Sequence, residues 1–356
     1  MYRRRRSTRC LSALDYCRSP PRGDRRKGLT LIGGDNRLYT AKRLISTRVK
    51  RALPERALLA MISVRYRMTL RSEFRTDRLR YGRHCLPGET SGSRVEPRNL
   101  EAQLIKDYHR IEKGLALPEP KRPFGVAVTN RLEGNVRVGR EAGTADLVLT
   151  SAETAQEALH HWNVHGHISD DVAPVVKAGD RGISNADRFF RSRHSVRDFE
   201  SAEVPDDVLF NAVALALQSP SVCNRQAWLI RFYRDGDVSR VLRHQNGNRG
   251  FSHVVPVVGL ITVDTRLFSA PGERNQPWIE GGIFSMSLVW ALHALGLDSC
   301  MLNMSVPNRQ SDALREEFGL ADSELIIMMI AIGYARPGYR VARSPRRQLE
   351  EVVVRI

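Results

Sequence analysis

The feature that most limits how this chain can fold is an apolar run near its C-terminal end. Residues 325–332 are eight consecutive apolar residues, and Gly333 follows them directly. A run of this length that ends at a glycine is typical of a strand buried on both faces of a sheet. Residues 279–295 are also strongly apolar and are followed by Gly296, which predicts a long buried helix. The chain therefore requires a sheet with helices packed against it.

The segments before these runs alternate between helical and strand patterns. A helix is predicted from Pro205, because proline suits the first turn and the carboxylates of Asp206 and Asp207 favour the helix dipole. Apolar residues then recur at helical spacing, at Leu209, Ala212, Val213 and Ala216. Residues 228–233 and 254–263 predict strands. The predicted fold class is α+β, with several strands in one sheet and helices on it.

Charge is distributed unevenly along the chain. Residues 1–100 carry 26 Lys and Arg against 8 Asp and Glu, a net charge of +18, whereas residues 101–356 have a net charge of −1. A basic arm can bind nucleic acid or anionic lipid without specificity, but this one shows no nucleic-acid motif and no aromatic interleaving. A solvated extension is the preferred interpretation, and no specific nucleic-acid partner is predicted.

The distribution of charge and of helical and strand patterns suggests three segments. We predict a basic, poorly ordered extension over residues 1–95, a helical subdomain over 96–182 and the main domain over 183–356. The Arg- and Ser-rich start also has features of an organellar presequence, and translation from Met61 or Met68 is a further alternative.

Several classes of protein are disfavoured by composition. The five cysteines are scattered, without CxxC pairs or His/Cys spacing of the metal-binding type, so no metal site is predicted. Thiols in such a chain are expected to be reduced, which favours a cytoplasmic location. The longest apolar candidate for a membrane span, residues 57–64, is too short to cross a bilayer.

Two polar segments of the main domain carry the residues with chemical potential. Residues 193–199 read Arg-His-Ser-Val-Arg-Asp-Phe, and in an extended chain Arg193, Ser195 and Arg197 would point the same way. Guanidinium forks and a hydroxyl suit the oxygens of a phosphate. Residues 219–228 read Ser-Pro-Ser-Val-Cys-Asn-Arg-Gln-Ala-Trp and can present amide donors and acceptors to a polar ring edge.

In this order, the two segments resemble those of the nitroreductase family. The family has an R-[RH]-S-x-[RK]-x-F segment followed by P-S-x-x-N-x-Q-P-W, and here only Ala227 departs, standing where proline is usual. Gly281-Gly282, Gly333-Tyr334 and residues 344–347 match further, and residues 108–115 resemble a motif of a subgroup with a helical N-terminal extension. The resemblance covers about residues 100–356.

The resemblance implies a nitroreductase-like fold with a central, mostly antiparallel sheet flanked by helices and a helical N-terminal extension. It also implies FMN bound at a homodimer interface, with NAD(P)H as reductant and a small electron-poor acceptor such as a nitro compound or quinone. Electrons would pass through flavin N5, so no catalytic side chain is expected. The cofactor-binding residues that it implies are Arg193, His194, Ser195, Arg197, Pro220, Ser221, Asn224, Asn303, Met304 and Arg346.

Within this set, Arg193, Ser195, Arg197 and Arg346 would hold the phosphate and ribityl chain. His194 would lie beside the ring, Asn224 would bind its pyrimidine edge, and residues 301–304 would lie over N5. Residues 1–90, which make up most of the basic arm, would be dispensable for flavin binding. Two alternatives remain: a non-reductase enzyme on the same fold (flavin-fragmenting, dehalogenating or peptide-oxidising), or a nucleic-acid or surface-binding protein acting through the arm.

Overall fold

The structure is a computed structural model that describes residues 54–88, 95–117, 119–175, 183–342, 344 and 346–354. What the sequence predicts for residues 1–53 lies outside the described residues. The chain divides into two units after Met68, and the second unit is Thr69–Ile356. The helices of the described residues are α1 (Glu55–His84), α2 (Pro97–Leu115), α3 (Val126–Glu141), α4 (Asp146–His165), α5 (Ala186–Ser192), α6 (Asp206–Ala216), α7 (Asp235–Leu242), α8 (Gln276–Ala294) and α9 (Asn308–Phe318).

The centre of the second unit is a four-stranded sheet. Its strands are β1 (Trp228–Arg234), β2 (Val257–Asp264), β3 (Asp298–Asn303) and β4 (Glu324–Gly333). They lie in the order β1-β2-β4-β3, and each neighbouring pair is antiparallel. The predicted α+β class, with an antiparallel sheet flanked by helices, is confirmed.

Both faces of the sheet are covered, as the apolar run of β4 requires. On β2, Val257 and Ile261 face a core that includes apolar side chains of α6 and α8. Val258 and Leu260 face a second core that includes side chains of α7 and α9. Alternating side chains point to opposite faces of a strand, so a strand with apolar residues at every position belongs between two helical layers.

Helix α8 lies close against β4 because glycine stands at the contact. A Cβ atom added to Gly281 would come 2.5 Å from Cγ1 of Ile327. The helix ends where predicted, since Gly296 has a φ of +79°, a conformation that glycine adopts without strain. The ring of Phe284 on α8 stacks on Trp228 with the centroids 5.0 Å apart.

Helices α2, α3 and α4 pack together around their own apolar core, which includes Leu104, Leu132 and Leu159. The buried carboxylate of Asp107 on α2 accepts hydrogen bonds from Arg131 on α3 at 2.6 and 2.7 Å. These three helices lie within residues 96–182, the segment for which the sequence predicts helices. The domain boundaries at 95 and 182 stay predictions.

Part of the predicted poorly ordered extension is ordered in the structure. Arg80 on α1 is buried, and its guanidinium contacts Asp312 at 2.7 Å and Asp322 at 3.2 Å. The backbone of Leu86 donates to the carbonyl of Phe268 and accepts from the amide of Ala270, both at 2.8 Å. Residues 69–88 therefore depart from the prediction, because long-range contacts that local composition does not reveal fix them.

Two strand predictions differ from the structure. The strand predicted over residues 254–263 starts at Val257, because Pro256 has no amide for the ladder and Ser252–Val254 form a 3₁₀ turn. Strand β3 was not predicted as a strand. Its sequence, Asp-Ser-Cys-Met-Leu-Asn, contains no β-branched residue, so pairing with β4 rather than local preference makes it a strand.

Candidate active site

The arginine-rich segment 193–199 is extended and fastened to the sheet. The Val196 amide donates to the carbonyl of Ser299 on β3 at 3.0 Å, and the Glu200 amide donates to that of Tyr334 at 2.9 Å. Val196 and Phe199 are fully buried and act as anchors. The polar side chains of the segment, apart from Asp198, which pairs with Arg336 at 3.0 Å, are left at the surface of the domain.

These polar side chains line an open pocket of about 700 Å³. The predicted site residues that the structure brings together there are Arg193, His194, Ser195, Arg197 and Arg346. Arg193 and Arg346, the first and last of these residues, are about 150 residues apart in the sequence. The pocket also has an apolar wall, formed by Phe190, Met286 and Trp290.

The pocket carries uncompensated positive charge. Among the described residues, the guanidiniums of Arg193, Arg197 and Arg346 form no ion pair. Arg197 donates to the Ser195 carbonyl at 3.3 Å and Arg346 to the Ser344 carbonyl at 2.8 Å, both within their own loops. Like charges that share a pocket repel each other, so this arrangement is suited to bind an anion.

The Trp290 ring and the Cys300 thiol lie close to the arginines of the pocket. The Arg193 guanidinium lies over the Trp290 ring, 5.7 Å from its centroid, which is a cation–π contact. Burial raises the pKa of the Cys300 thiol on β3, and the charges of Arg197 and Arg193 act on that pKa in the opposite direction. The only carboxylate among the described lining residues, Asp187, is paired with Arg191 at 2.6 Å.

The other predicted site residues do not line this pocket. Pro220, Ser221 and Asn224 belong to the turn between α6 and β1, and Asn224 is exposed. Asn303 ends β3, and its side-chain oxygen accepts from the Ser305 amide at 3.0 Å. Met304 packs against the core on the α7 side of the sheet. The roles of these five residues stay predictions.

Sequence reasoning missed the aromatic wall of the pocket. Trp290 lies on α8, nearly 100 residues after the arginine segment, so no local pattern connects the two. The one signal in the sequence was the aromatic pair Phe189-Phe190 on α5, which lies shortly before the segment 193–199. His293 on α8 hydrogen-bonds with the Ser192 hydroxyl at 2.9 Å and ties the end of α5 to α8.

Comparison with known proteins identifies this part of the chain. Residues 190–240 and 231–334 match the nitroreductase family. The two matches together span residues 190–334, about two fifths of the chain, and we call this part the nitroreductase domain. The resemblance seen in the two polar segments is thus confirmed, and most of the residues that line the pocket lie in the nitroreductase domain.

Individual relatives of the nitroreductase domain are distant. An NADH dehydrogenase of Thermus thermophilus is 28% identical over 194 residues, covering 46% of this chain and 91% of the relative. A solved nitroreductase family protein of Clostridium difficile 630 is 22% identical over 48% of this chain and 97% of its own, with a TM-score of 0.41. An FMN- and NADPH-dependent nitroreductase of a Sphigopyxis strain is 20% identical over 48% of this chain and 98% of its own, also with a TM-score of 0.41.

The described residues contain no group of three or more His, Cys, Asp or Glu side chains placed to hold a metal ion. None of the helices in the same residues is long and apolar enough to cross a membrane. The cytoplasmic location stays a prediction.

Proposed function

We propose that this protein is an FMN-dependent oxidoreductase that uses NAD(P)H to reduce a small electron-poor acceptor, such as a nitro compound or a quinone. The observation that carries the proposal is the pocket of the nitroreductase domain in which Arg193, Arg197 and Arg346 meet without a carboxylate partner among the described residues. Its curated relative from Thermus thermophilus is named an NADH dehydrogenase, which agrees with a nicotinamide reductant.

The residues of the pocket fit FMN in charge and in chemistry. A phosphate dianion would compensate two of the three guanidinium charges and accept hydrogen bonds from all three, and the Ser195 hydroxyl adds a further donor. A carboxylate carries a single charge and two oxygens, so it would compensate less of this charge than a phosphate dianion. When bound, FMN supplies two-electron transfer between NAD(P)H and the acceptor. The protein's part is to bind and orient the ligands, and no side chain is assigned proton transfer.

The remaining site residues are assigned to the ring end of the cofactor. His194 lines the same pocket as the arginines and would lie beside the ring. Asn224 would meet its pyrimidine edge, Pro220 and Ser221 of the same turn would contact the cofactor, and backbone amides at Asn303 and Met304 would face N5. These assignments rest on the family resemblance, and the phosphate assignment also rests on the charge of the pocket.

A homodimer is part of the proposal. The exposed side of α8 carries Trp278, Ile279 and Ile283, which are 47%, 52% and 37% exposed. A row of large apolar side chains on one helix is typical of an interface. We expect Ile283→Arg to convert the dimer to a monomer in analytical ultracentrifugation, whereas Leu147→Arg, on the exposed start of α4, leaves it dimeric. A wild-type monomer would refute this part.

The test of the function is the spectrum of the purified protein. We expect the absorbance of an oxidised flavin, with about one FMN per subunit after reconstitution. In the absence of oxygen, NADH or NADPH should bleach this absorbance, and a quinone should restore it. A yellow protein that neither nicotinamide reduces would favour a non-reductase enzyme on the same fold. A protein that binds no FMN but binds nucleic acid in a salt-dependent manner would favour the basic arm as the functional part.

A further inference from the structure

The turn between α6 and β1 has a strained backbone. Cys223, Asn224 and Gln226 have φ angles of +51°, +54° and +47°. This left-handed region favours glycine, and none of the three is glycine. Such conformations persist only where the surrounding structure determines them, and they cluster at sites that bind ligands. The turn, residues 221–226, therefore needs specific support from the rest of the fold.

Two buried charged side chains give that support at Val222. The carboxylate of Glu280 on α8 accepts a hydrogen bond from the Val222 amide at 2.8 Å. The Arg225 guanidinium donates through Nε to the Val222 carbonyl at 3.0 Å. Glu280 is 1% exposed and Arg225 is 2% exposed. The residue that precedes the first left-handed position is thus fixed at both of its peptide groups.

The two side chains also depend on each other and on one further carboxylate. Arg225 contacts Glu273 at 2.8 Å and lies over the ring of Phe268, 5.3 Å from its centroid. Burial raises the pKa of Glu280, and the charge of Arg225 opposes that shift. A buried ion pair seldom stabilises a fold more than apolar packing of the same volume. We therefore infer that these buried charged side chains serve to fix the geometry of the turn rather than to add stability.

The turn presents polar side chains on its outer side. The Asn224 side-chain oxygen accepts a hydrogen bond from Nε2 of Gln226 at 3.2 Å. The backbone N–H of Gln226 donates to the Ser221 hydroxyl at 3.0 Å. Asn224 and Gln226 are both exposed. The amide of Asn224 is therefore held in one orientation while it remains accessible to a ligand.

We propose that Arg225 and Glu280 are positioning residues, which hold the turn 221–226 in a preset conformation so that Asn224 meets the flavin ring. The proposal rests on the proposed function and adds two residues that do not touch the cofactor. A preset turn does not have to be ordered when the ligand binds, so affinity is not lost to that step.

The test separates the conformation of the turn from the binding of FMN. Glu280→Leu removes the acceptor of the Val222 amide, whereas Glu280→Gln keeps an acceptor and loses the charge. In the full-length protein without FMN, we expect Glu280→Leu to accelerate hydrogen exchange of the peptide covering residues 219–227. FMN titration should then show affinity about tenfold weaker, the size expected for one buried hydrogen bond, and Glu280→Gln should recover part of it.

A matched control is available in the same domain. Glu324 is 5% exposed and accepts hydrogen bonds from Arg231 at 2.7 and 2.8 Å, neither of which involves residues 221–226. Glu324→Leu should lower the thermal stability but leave the exchange of residues 219–227 and the FMN affinity of the folded protein unchanged. Arg225→Met should behave like Glu280→Leu, and the double variant should be little worse than either single one, because both act on one turn.

The outcomes are distinct for each part of the proposal. Wild-type exchange of residues 219–227 in Glu280→Leu would overturn the support of the turn. Faster exchange with unchanged FMN affinity would overturn its role in positioning. If the wild-type protein binds no FMN, the proposed function fails, and positioning for flavin is overturned with it. The exchange measurement then shows separately whether Glu280 and Arg225 fix the turn.

Discussion

At the scale of single residues, Arg197 gives the most direct test of the pocket. It is exposed and contacts no carboxylate among the described residues, so its replacement disturbs neither the core nor an ion pair. A charge-assisted hydrogen bond contributes about 1.5–3 kcal/mol, so Arg197→Ala should weaken FMN binding roughly 10- to 150-fold. Arg197→Lys should recover part of the affinity, because it keeps the charge and loses the fork.

Titration of the apoprotein with FMN, followed by flavin fluorescence, measures this change. Arg243→Ala is the matched control, because Arg243 is exposed and its partner is Glu317 at 3.1 Å, outside the lining of the pocket. Affinity equal to wild type in Arg197→Ala would remove Arg197 from the site and cast doubt on the alignment of residues 193–199 with the family motif.

Asp322 predicts how stability changes at low pH. Burial alone would raise its pKa, but hydrogen bonds from His84 and Arg80 and the charges of Arg80 and Arg83 lower the pKa to about 2, from 3.8. A carboxylate with a depressed pKa stabilises the folded state above pH 3.8, and that contribution is lost as the pH falls through about 2. The Asp322 side chain is 43% exposed, so solvent screening reduces the contribution to about 1 kcal/mol.

Asp322→Asn should therefore lower the free energy of unfolding by about 1 kcal/mol at pH 7, and the difference from wild type should disappear as the pH falls from about 4 to below 2. Urea unfolding at several pH values measures it. Glu153→Gln, which removes the exposed partner of Arg140, is the comparison and should have a smaller effect at pH 7. A constant difference down to pH 2 would show that Asp322 does not act through its charge.

At the scale of elements, the contact between α8 and β4 depends on one glycine. Because a Cβ at Gly281 would lie 2.5 Å from Ile327, Gly281→Ala should destabilise the protein by about 1–3 kcal/mol through overpacking. Gly134 lies within α3 with no neighbour within 4 Å of an added Cβ. Gly134→Ala should instead stabilise by up to about 1 kcal/mol, because alanine is the better helix former. Equal effects in urea unfolding would argue against the close contact.

The sequence predicted those elements whose signal is local. The apolar run that forms β4 and the apolar helix α8 can be recognised without their partners, since each has a local pattern with a glycine at or just after its end. Strand β3 and the order of residues 69–88 depend on partners far along the chain, which one sequence does not display. The same division holds in the site. The arginine segment was recognisable, but the wall at Trp290 arises only from folding.

At the scale of the whole molecule, the contacts of α1 change where the N-terminal arm can be cut. The compact unit begins at Thr69, whereas the sequence suggested that residues 1–90 are dispensable. A chain starting at Glu96 lacks Arg80, which contacts two aspartates, and Leu86, which is fully buried. Removing one buried leucine and leaving buried polar groups unpaired together cost about 3 kcal/mol or more.

We therefore expect a chain starting at Thr69 to keep the melting temperature and the FMN affinity of the full-length protein. A chain starting at Glu96 should melt several degrees lower, by roughly 2–4 °C for each kcal/mol lost. Arg80→Met in the full-length chain separates the two causes, because it removes the ionic contacts and keeps Leu86 in place. If both truncated chains melt like the full-length protein, the ordered part of α1 contributes nothing to the fold, and the boundary belongs at residue 95 after all.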